Sequence, residues 1–282
     1  QEERLERELG QYREEEATCN GCAGYPKYDQ VTGLLSFNRF REEVDSVIAS
    51  GKGKSCLLVY TDLENFKYFN RKYGYAAGDQ LLREFTGYII DTLKKRNTAH
   101  FTRVVADQFI LFFEEKWNNG SIEAIKRINN GFIERQQRKY PEAKLRLRTG
   151  VYKVEKDCDG ASFAIDAANY ARRQIQDNSP ETVCVYDKTM ADLQNMENEI
   201  AIGLDKAIKN KEFKIYLQPR FSLTTGKIVG AESLVRWQRE DGTILPPDSF
   251  IPVYEKNGRI IDLDFYMFEE TVKLLANWKE QG

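Results

Sequence analysis

The stretch Phe101-Thr-Arg-Val-Val-Ala-Asp-Gln-Phe-Ile-Leu-Phe-Phe113 is the part of the sequence that most directly predicts the fold. It contains two short runs rich in β-branched and aromatic residues, at 101–105 and 108–113. Only Ala106 and Asp107 lie between them. Two such runs joined by a tight turn are typical of a β-hairpin. The sequence therefore predicts an antiparallel hairpin with Asp107 in its turn.

Helix and strand patterns alternate on both sides of this hairpin. Apolar residues recur at helical spacing in several segments, and short apolar runs bounded by turn residues indicate strands. Asp79 is placed as an N-cap that starts a helix. The other predicted helices lie at 37–48, 121–139 and 162–176, and the other strands at 56–61, 145–154 and 183–186. This order predicts an α+β domain whose central, largely antiparallel sheet is flanked by helices.

A second pattern begins after residue 188. A long amphipathic helix is followed by predicted strands at 213–218 and 227–237 and by helices at 249–256 and 261–281. We therefore divide the chain into an N-terminal helix and linker (1–27), a first domain (28–188), a connecting helix (189–210) and a second domain (211–282).

Composition excludes several classes of protein. The net charge of −2 gives no global basic field for nucleic acid, and no apolar run approaches the roughly 20 residues that span a bilayer. The five scattered cysteines fit a reducing, cytoplasmic compartment. Cys19 and Cys22 are interpreted as loop cysteines, because zinc needs four ligands and the sequence has one histidine, His100. Because the chain starts at Gln1, we expect it to be part of a longer parent protein. In one alternative, a segment that precedes Gln1 anchors this parent protein to a membrane.

The first domain resembles a GGDEF domain, the family of diguanylate cyclases. The resemblance covers residues 28–188 and rests on spaced motifs in order: Asp29-Gln-Val-Thr-Gly-Leu34, Asp62-Leu-Glu-Asn-Phe-Lys67, Asn70, and Gly78-Asp79. Residues 105–109, Val-Ala-Asp-Gln-Phe, stand where the family has Gly-Gly-Asp-Glu-Phe. The resemblance implies a nucleotidyl-cyclase-like fold and GTP as ligand.

The resemblance also implies roles for individual residues. Asp62 and Asp107 would hold Mg²⁺ or Mn²⁺, weakly or conditionally in this chain. Asn70 and Asp79 would read the guanine base, and Lys67 would contact phosphate. Taken one at a time, these residues are more simply explained as a strand end, helix caps and a solvated lysine. Their occurrence together at the family's spacing favours the functional assignment.

The hairpin departs from the family at three positions. Val105 and Ala106 replace glycines, which permit positive φ and a close approach of backbone to phosphate. Gln108 replaces a carboxylate and, with Phe109, completes the degenerate motif. The upstream Arg-x-x-Asp of the family's inhibitory product site reads Arg96-Asn-Thr-Ala99. We therefore predict no cyclase activity.

The second domain resembles the first part of an EAL domain, a cyclic-di-GMP phosphodiesterase. Glu232-Ser-Leu234 stands for Glu-Ala-Leu, and Tyr216-Leu-Gln-Pro219 and Phe250-Ile-Pro252 lie at matching places. The resemblance implies a partial (β/α) barrel, with Glu232 as a metal ligand and Gln218 and Arg236 near the phosphates of cyclic-di-GMP. A barrel of this type takes about 250 residues, so residues 211–282 alone leave uncovered apolar side chains that a complete barrel would bury, among them Phe265, Phe268, Val272 and Leu275. We therefore expect self-association through residues about 213–280, or packing of this segment on the first domain.

Three functions remain open for the first domain. The first hypothesis is a regulatory module that binds GTP and biases the attached phosphodiesterase. The second is an interaction scaffold without nucleotide, and the third is a residual diguanylate cyclase. We rank them in that order.

Overall fold

The computed structural model describes residues 26–51, 53, 56–94, 99–115, 117–118, 120–177 and 179–281. The predicted N-terminal helix, the pair Cys19 and Cys22, and Arg96 lie outside these residues. The chain divides into two compact units, Gln1–Met190 and Ala191–Gly282. None of the helices in the described ranges has the length and apolar character that a membrane span requires.

The first unit is built on a five-stranded sheet with helices on both faces. The strands lie in the order β2-β3-β1-β4-β5, and every neighbouring pair is antiparallel except β4 and β5. The strands are β1 (Cys56–Glu64), β2 (Ala99–Val105), β3 (Gln108–Glu114), β4 (Arg146–Lys153) and β5 (Val183–Val185). The helices are α1 (Phe37–Ala49), α2 (Phe66–Tyr73), α3 (Tyr75–Leu93), α4 (Ser121–Lys139) and α5 (Ala161–Arg173). The predicted α+β class and the largely antiparallel sheet are confirmed.

Strand β1 separates two hydrophobic cores because its side chains alternate between the two faces of the sheet. Leu57 and Val59 pack into the core that α2, α3 and α4 cover. Leu58 and Tyr60 pack into the core that α1 and α5 cover. Burial of β1 on both faces places its polar end, at Asp62, at the edge of the packed core.

The predicted start of α3 is wrong by several residues. The helix begins at Tyr75, so Asp79 lies inside it, and the N-cap is Gly74 with φ +89°. A left-handed glycine between α2 and α3 explains the earlier start, because it turns the chain sharply at no steric cost. Gly78 is then a helical residue facing α2, where an added Cβ would lie 1.9 Å from Asn70 Oδ1.

The second unit has a three-stranded antiparallel sheet and its own small core. The elements are α6 (Lys188–Lys209), which leads into the unit, β6 (Phe213–Phe221), β7 (Ile228–Gln238), β8 (Ile244–Leu245), α7 (Pro247–Lys256) and α8 (Ile260–Gln281). The sheet order is β6-β7-β8, and β8 was not predicted because it has two residues. The core is formed by apolar residues of α6, the strands and both later helices, among them Leu204, Phe213, Trp237, Phe250 and Tyr254.

Candidate functional site

The turn of the β2–β3 hairpin is built with one non-glycine residue in the left-handed region. Ala106 has φ +50°, whereas Val105 is not among the described residues with positive φ. Val105 is 60% exposed and pairs with Gln108 after a register shift. Of the two positions where the family has glycine, only Ala106 therefore keeps a positive φ. Both positions add a side chain at the tip of the hairpin.

Arg103 ties this turn to the start of the domain. Its Nε donates to the carbonyl of Ala106 at 2.7 Å, and its Nη1 lies 3.4 Å from Asp29 Oδ1. Asp29 Oδ1 also accepts hydrogen bonds from the backbone N and the Oγ1 of Thr32, at 2.8 and 2.7 Å. The Asp-x-x-Thr motif thus fixes the base of the hairpin, which gives the motif a structural role.

The two carboxylates that the resemblance assigns to metal lie close enough to interact electrostatically. Burial raises the pKa of Asp107, and the charge of Asp62 raises it further. Burial also raises the pKa of Asp62, while the guanidinium of Arg172 opposes that change. Asp62 Oδ2 accepts a hydrogen bond from Arg172 Nη1. Asp62 Oδ1 is buried and has no hydrogen-bond partner among the described residues.

Arg172 reaches Asp62 from the last turn of α5. Its Nε and Nη2 donate to Asn169 Oδ1 at 3.0 and 2.9 Å, and its guanidinium lies 5.3 Å from the centre of the Tyr60 ring. The hydroxyl of Tyr60 donates to Gln108 Oε1 at 2.7 Å. Gln108 is therefore held by a neighbouring strand instead of projecting freely from the hairpin.

Sequence reasoning missed Arg172 and Tyr60 as members of this site. The only signal in the sequence was the pair Arg172-Arg173 at the end of an apolar helix, a position where basic residues are common because they interact favourably with the helix dipole. The pairing with Asp62 needs the three-dimensional fold.

A divalent metal does not fit this arrangement of residues. The positive charge of Arg172 already opposes the negative charges of Asp62 and Asp107, and Arg103, which pairs with Asp29, also acts on Asp107. In the described part of the chain, no three His, Cys, Asp or Glu side chains are grouped as a metal site. Hard cations such as Mg²⁺ need several oxygen ligands. One oxygen of Asp62 is taken by Arg172, and the other, the unpartnered Oδ1, is a single ligand next to that guanidinium.

The residues predicted to bind nucleotide lie on α2 and α3. Lys67 is exposed, and Asp79 and Asn70 are half-buried. Asn70 faces Gly78, the residue that precedes Asp79, so the structure brings the two predicted base-reading side chains to the α2–α3 junction. Asn70 Oδ1 is buried and has no hydrogen-bond partner among the described residues.

In the second unit, the predicted ligand residues share one face of the β6–β7 ribbon. Gln218 lies directly opposite Glu232, and both are exposed. Arg236 is four residues from Glu232 on β7, and because side chains alternate along a strand it lies on the same face. Its guanidinium lies 5.7 Å from the centre of the Tyr216 ring. The three side chains are thus gathered on one open surface.

Comparison with known families identifies both parts of the chain. The model of the family "Diguanylate cyclase, GGDEF domain" matches residues 26–180, and the EAL domain model matches residues 203–282. The first match covers more than half of the chain. The chain therefore belongs to the GGDEF family, and an EAL domain segment follows its GGDEF domain. Domains of these two kinds generally depend on Mg²⁺ or Mn²⁺.

Two curated relatives are similar to most of the chain. The chain is 26% identical over 265 residues to the cyclic di-GMP phosphodiesterase PdeR of Escherichia coli, covering 90% of the chain and 38% of PdeR. It is 25% identical over 281 residues to the biofilm architecture maintenance protein MbaA of Vibrio cholerae, covering 95% of the chain and 36% of MbaA. The chain thus spans about two fifths of the length of these relatives.

The fold is shared with the S helix–GGDEF–EAL structure of Vibrio cholerae LapD, bound to c-di-GMP. The TM-score is 0.52 at 18% identity, and the match covers 98% of the chain and 62% of the LapD chain. At this identity the likeness concerns the fold.

Proposed function

We propose that this chain is part of a bacterial cyclic-di-GMP signalling protein whose GGDEF domain is a regulatory, GTP-binding module for an EAL phosphodiesterase. Membership in the GGDEF family and the EAL match support the signalling role. Two relatives support the same reading by name, the phosphodiesterase PdeR and the bifunctional diguanylate cyclase/cyclic di-GMP phosphodiesterase MucR of Pseudomonas aeruginosa.

The observation that carries GTP binding is the amide oxygen of Asn70. A buried polar atom without a hydrogen-bond partner is uncommon in a native protein and points to a missing ligand or water. Asn70 Oδ1 is such an atom, and it lies beside the residue before Asp79. An amide and a carboxylate are acceptors for the N–H groups of guanine. Lys67 on the exposed side of α2 would then contact phosphate.

The hairpin argues against synthesis of cyclic-di-GMP. Joining two GTP molecules needs a divalent metal at the reacting phosphate and a backbone that approaches it closely. The side chains of Val105 and Ala106 stand at that approach, and Gln108 is bonded to Tyr60. Mg²⁺ or Mn²⁺ would reach Asp62 only conditionally, once Arg172 had left it. The proposed binding of GTP is therefore weak and unproductive.

The second domain is proposed to keep three ligand residues of the EAL family. Glu232 would be a metal ligand, and Gln218 and Arg236 would face the phosphates of cyclic-di-GMP in the parent. Their position on one face of β6–β7 supports this proposal. The helix at 189–210 would connect this domain to the GGDEF domain at 28–188. We place the protein in the cytoplasm, which Cys158 and Cys184, two thiols outside any disulfide, favour.

Calorimetry with GTP, ITP and ATP tests the proposal. ITP lacks the exocyclic amine of guanine, so we expect GTP to bind at least tenfold more tightly than ITP or ATP. Asn70→Ala should remove this preference, and Asn130→Ala, at an exposed asparagine of α4, should keep it. Equal affinities for the three nucleotides, or no heat of binding at millimolar GTP, would contradict the proposal and favour the interaction scaffold.

One observation favours the scaffold as second candidate. Val105 is a large apolar side chain at the exposed tip of a hairpin, where a partner protein would bury it. In that case Val105→Ser should weaken capture of the partner and leave binding of GTP unchanged.

The cyclase alternative has a separate test, in which the chain is incubated with GTP and Mg²⁺ or Mn²⁺ and the products are separated by chromatography. We expect no cyclic-di-GMP, and product that depended on Asp107 would contradict the proposal.

A further inference from the structure

The last turn of α5 supplies a fixed positive charge to the carboxylate at the end of β1. We infer that Arg172 is a built-in substitute for the divalent cation at Asp62, so that this domain neither binds nor requires a metal at that position while the contact between the two side chains is in place. The inference deepens the proposed function, because it concerns the metal requirement of the same site, but the contacts that carry it do not involve nucleotide.

The guanidinium of Arg172 is held in place from three sides. Asp62 accepts from Nη1, and Asn169 Oδ1 accepts from both Nε and Nη2. The face of the guanidinium lies over the ring of Tyr60. The side chains of Arg172 and Asp62 are 12% and 15% exposed, so the contact is largely removed from solvent. A planar group held by hydrogen bonds and a ring is oriented much more strictly than a solvated lysine.

The backbone of α5 is also fixed where Arg172 begins. Gly150 of β4 lies under this turn, and a Cβ there would be 1.9 Å from the carbonyl of Ala168 and 2.4 Å from the backbone N of Arg172. Gly150 is the cross-strand partner of Tyr60 on β1, two residues before Asp62. The close approach of helix to strand therefore sets the distance over which the guanidinium reaches the carboxylate.

The cation nearest to Asp62 is the guanidinium that bonds it. Arg148, the cross-strand partner of Asp62, is engaged with Glu64 and Asp177. Arg103, which acts on Asp107, is shared with Asp29, so Arg172 is the cation placed directly on Asp62. A metal on the remaining oxygen of Asp62 would lie next to the guanidinium on the other oxygen. In a site of low effective dielectric, repulsion between such close like charges is strong.

Binding of Mn²⁺ alone, followed by electron paramagnetic resonance on the complete chain, tests the inference without nucleotide. We expect Arg172→Ala to bind Mn²⁺ at least tenfold more tightly than the unaltered protein. The added affinity should disappear when Asp62→Asn is combined with Arg172→Ala. Arg173→Ala is the matched control, because it removes the same charge from the next, exposed residue, and it should behave like the unaltered protein. The inference would be overturned if the unaltered protein and Arg172→Ala bound Mn²⁺ with equal affinity and if this binding were lost on introducing Asp62→Asn.

A second measurement covers the case in which Arg172→Ala does not fold. We expect the nuclear magnetic resonance signals of the Leu63 and Asp107 amides in the unaltered protein to be equally sharp in millimolar Mn²⁺ and in millimolar Mg²⁺. Broadening of these signals that is absent in Asp62→Asn would contradict the inference. Failure of the GTP calorimetry leaves both Mn²⁺ results intact, so the inference and the proposed function fail separately.

Discussion

Ala106 concentrates the backbone strain of the hairpin turn in one residue. Its φ of +50° is a conformation that glycine adopts freely and that costs an alanine on the order of 1 kcal/mol. We therefore expect Ala106→Gly to raise the free energy of unfolding by about 1 kcal/mol. Ala106→Val should lower it, because a β-branched residue tolerates positive φ least. Urea denaturation of the three proteins measures both changes, and shifts of the same sign would contradict the assignment of strain.

Individual site residues differ in how far the sequence could predict them. Asp62 and Asn70 could be placed because their spacing along one continuous segment matches a family motif. Arg172 could not, because its contact joins residues 110 positions apart and depends on the close approach of α5 at Gly150. Such contacts arise from packing between elements, and periodicity in one segment carries no information about them.

The contact between β4 and α5 is the one at which a single methyl group should matter most. In Gly150→Ala the new Cβ would overlap the backbone of α5, so we expect a loss of stability of about 1–3 kcal/mol or more. Gly87→Ala is the matched control, because Gly87 lies in α3 with open space around its position. That change should stabilise the domain by roughly 0.5–1 kcal/mol through helix propensity. Thermal unfolding in which both variants changed alike would argue against the close packing.

Helices α3 and α4 are joined by a charged contact that should make stability depend on pH. Glu84 accepts hydrogen bonds from Lys139 Nζ at 2.8 and 3.0 Å and from Gln136 Nε2 at 2.8 Å. Burial alone would raise the pKa of Glu84, but these hydrogen bonds outweigh it and lower the pKa. A carboxyl whose pKa is lowered on folding stabilises the protein above its unfolded pKa of about 4.3, and this contribution is lost as the pH falls through the folded pKa.

We therefore expect Glu84→Gln to lower the free energy of unfolding by about 1 kcal/mol at pH 7. The difference from the unaltered protein should shrink as the pH is lowered below about 4. Glu134→Gln, at an exposed position of α4, is the control and should show little change at either pH. A difference for Glu84→Gln that stayed constant between pH 7 and pH 3 would show that the contact acts through packing and not through charge.

At the scale of the whole molecule, the two units differ in how much apolar surface they leave uncovered. Helix α8 exposes a stripe formed by Ile261, Phe265, Phe268, Val272 and Leu275. These residues are spaced alternately four and three apart, a period that brings apolar residues to the seam between two packed helices. Four members of the α8 stripe, Phe265, Phe268, Val272 and Leu275, could be predicted from the sequence as residues that need a cover, whereas Ile261 was identified only in the structure. The sequence does not specify the cover, since apolar burial is not directional.

We expect the 282-residue chain to dimerise through the α8 stripe of two copies. Full burial of an apolar side chain contributes roughly 1.5–3 kcal/mol, and the stripe residues are still 47–71% exposed, so pairing the stripes of two copies would contribute on the order of 10 kcal/mol, comparable to the ~4–15 kcal/mol that association costs. Phe268→Lys should shift the dimer towards monomer in sedimentation velocity experiments. Asn277→Lys, which adds the same charge at an exposed position of α8 outside the stripe, should leave it unchanged. A truncation after Asp187 should be folded, more soluble and monomeric. If the unaltered chain sediments as a monomer at high concentration, the stripe does not pair with a second copy.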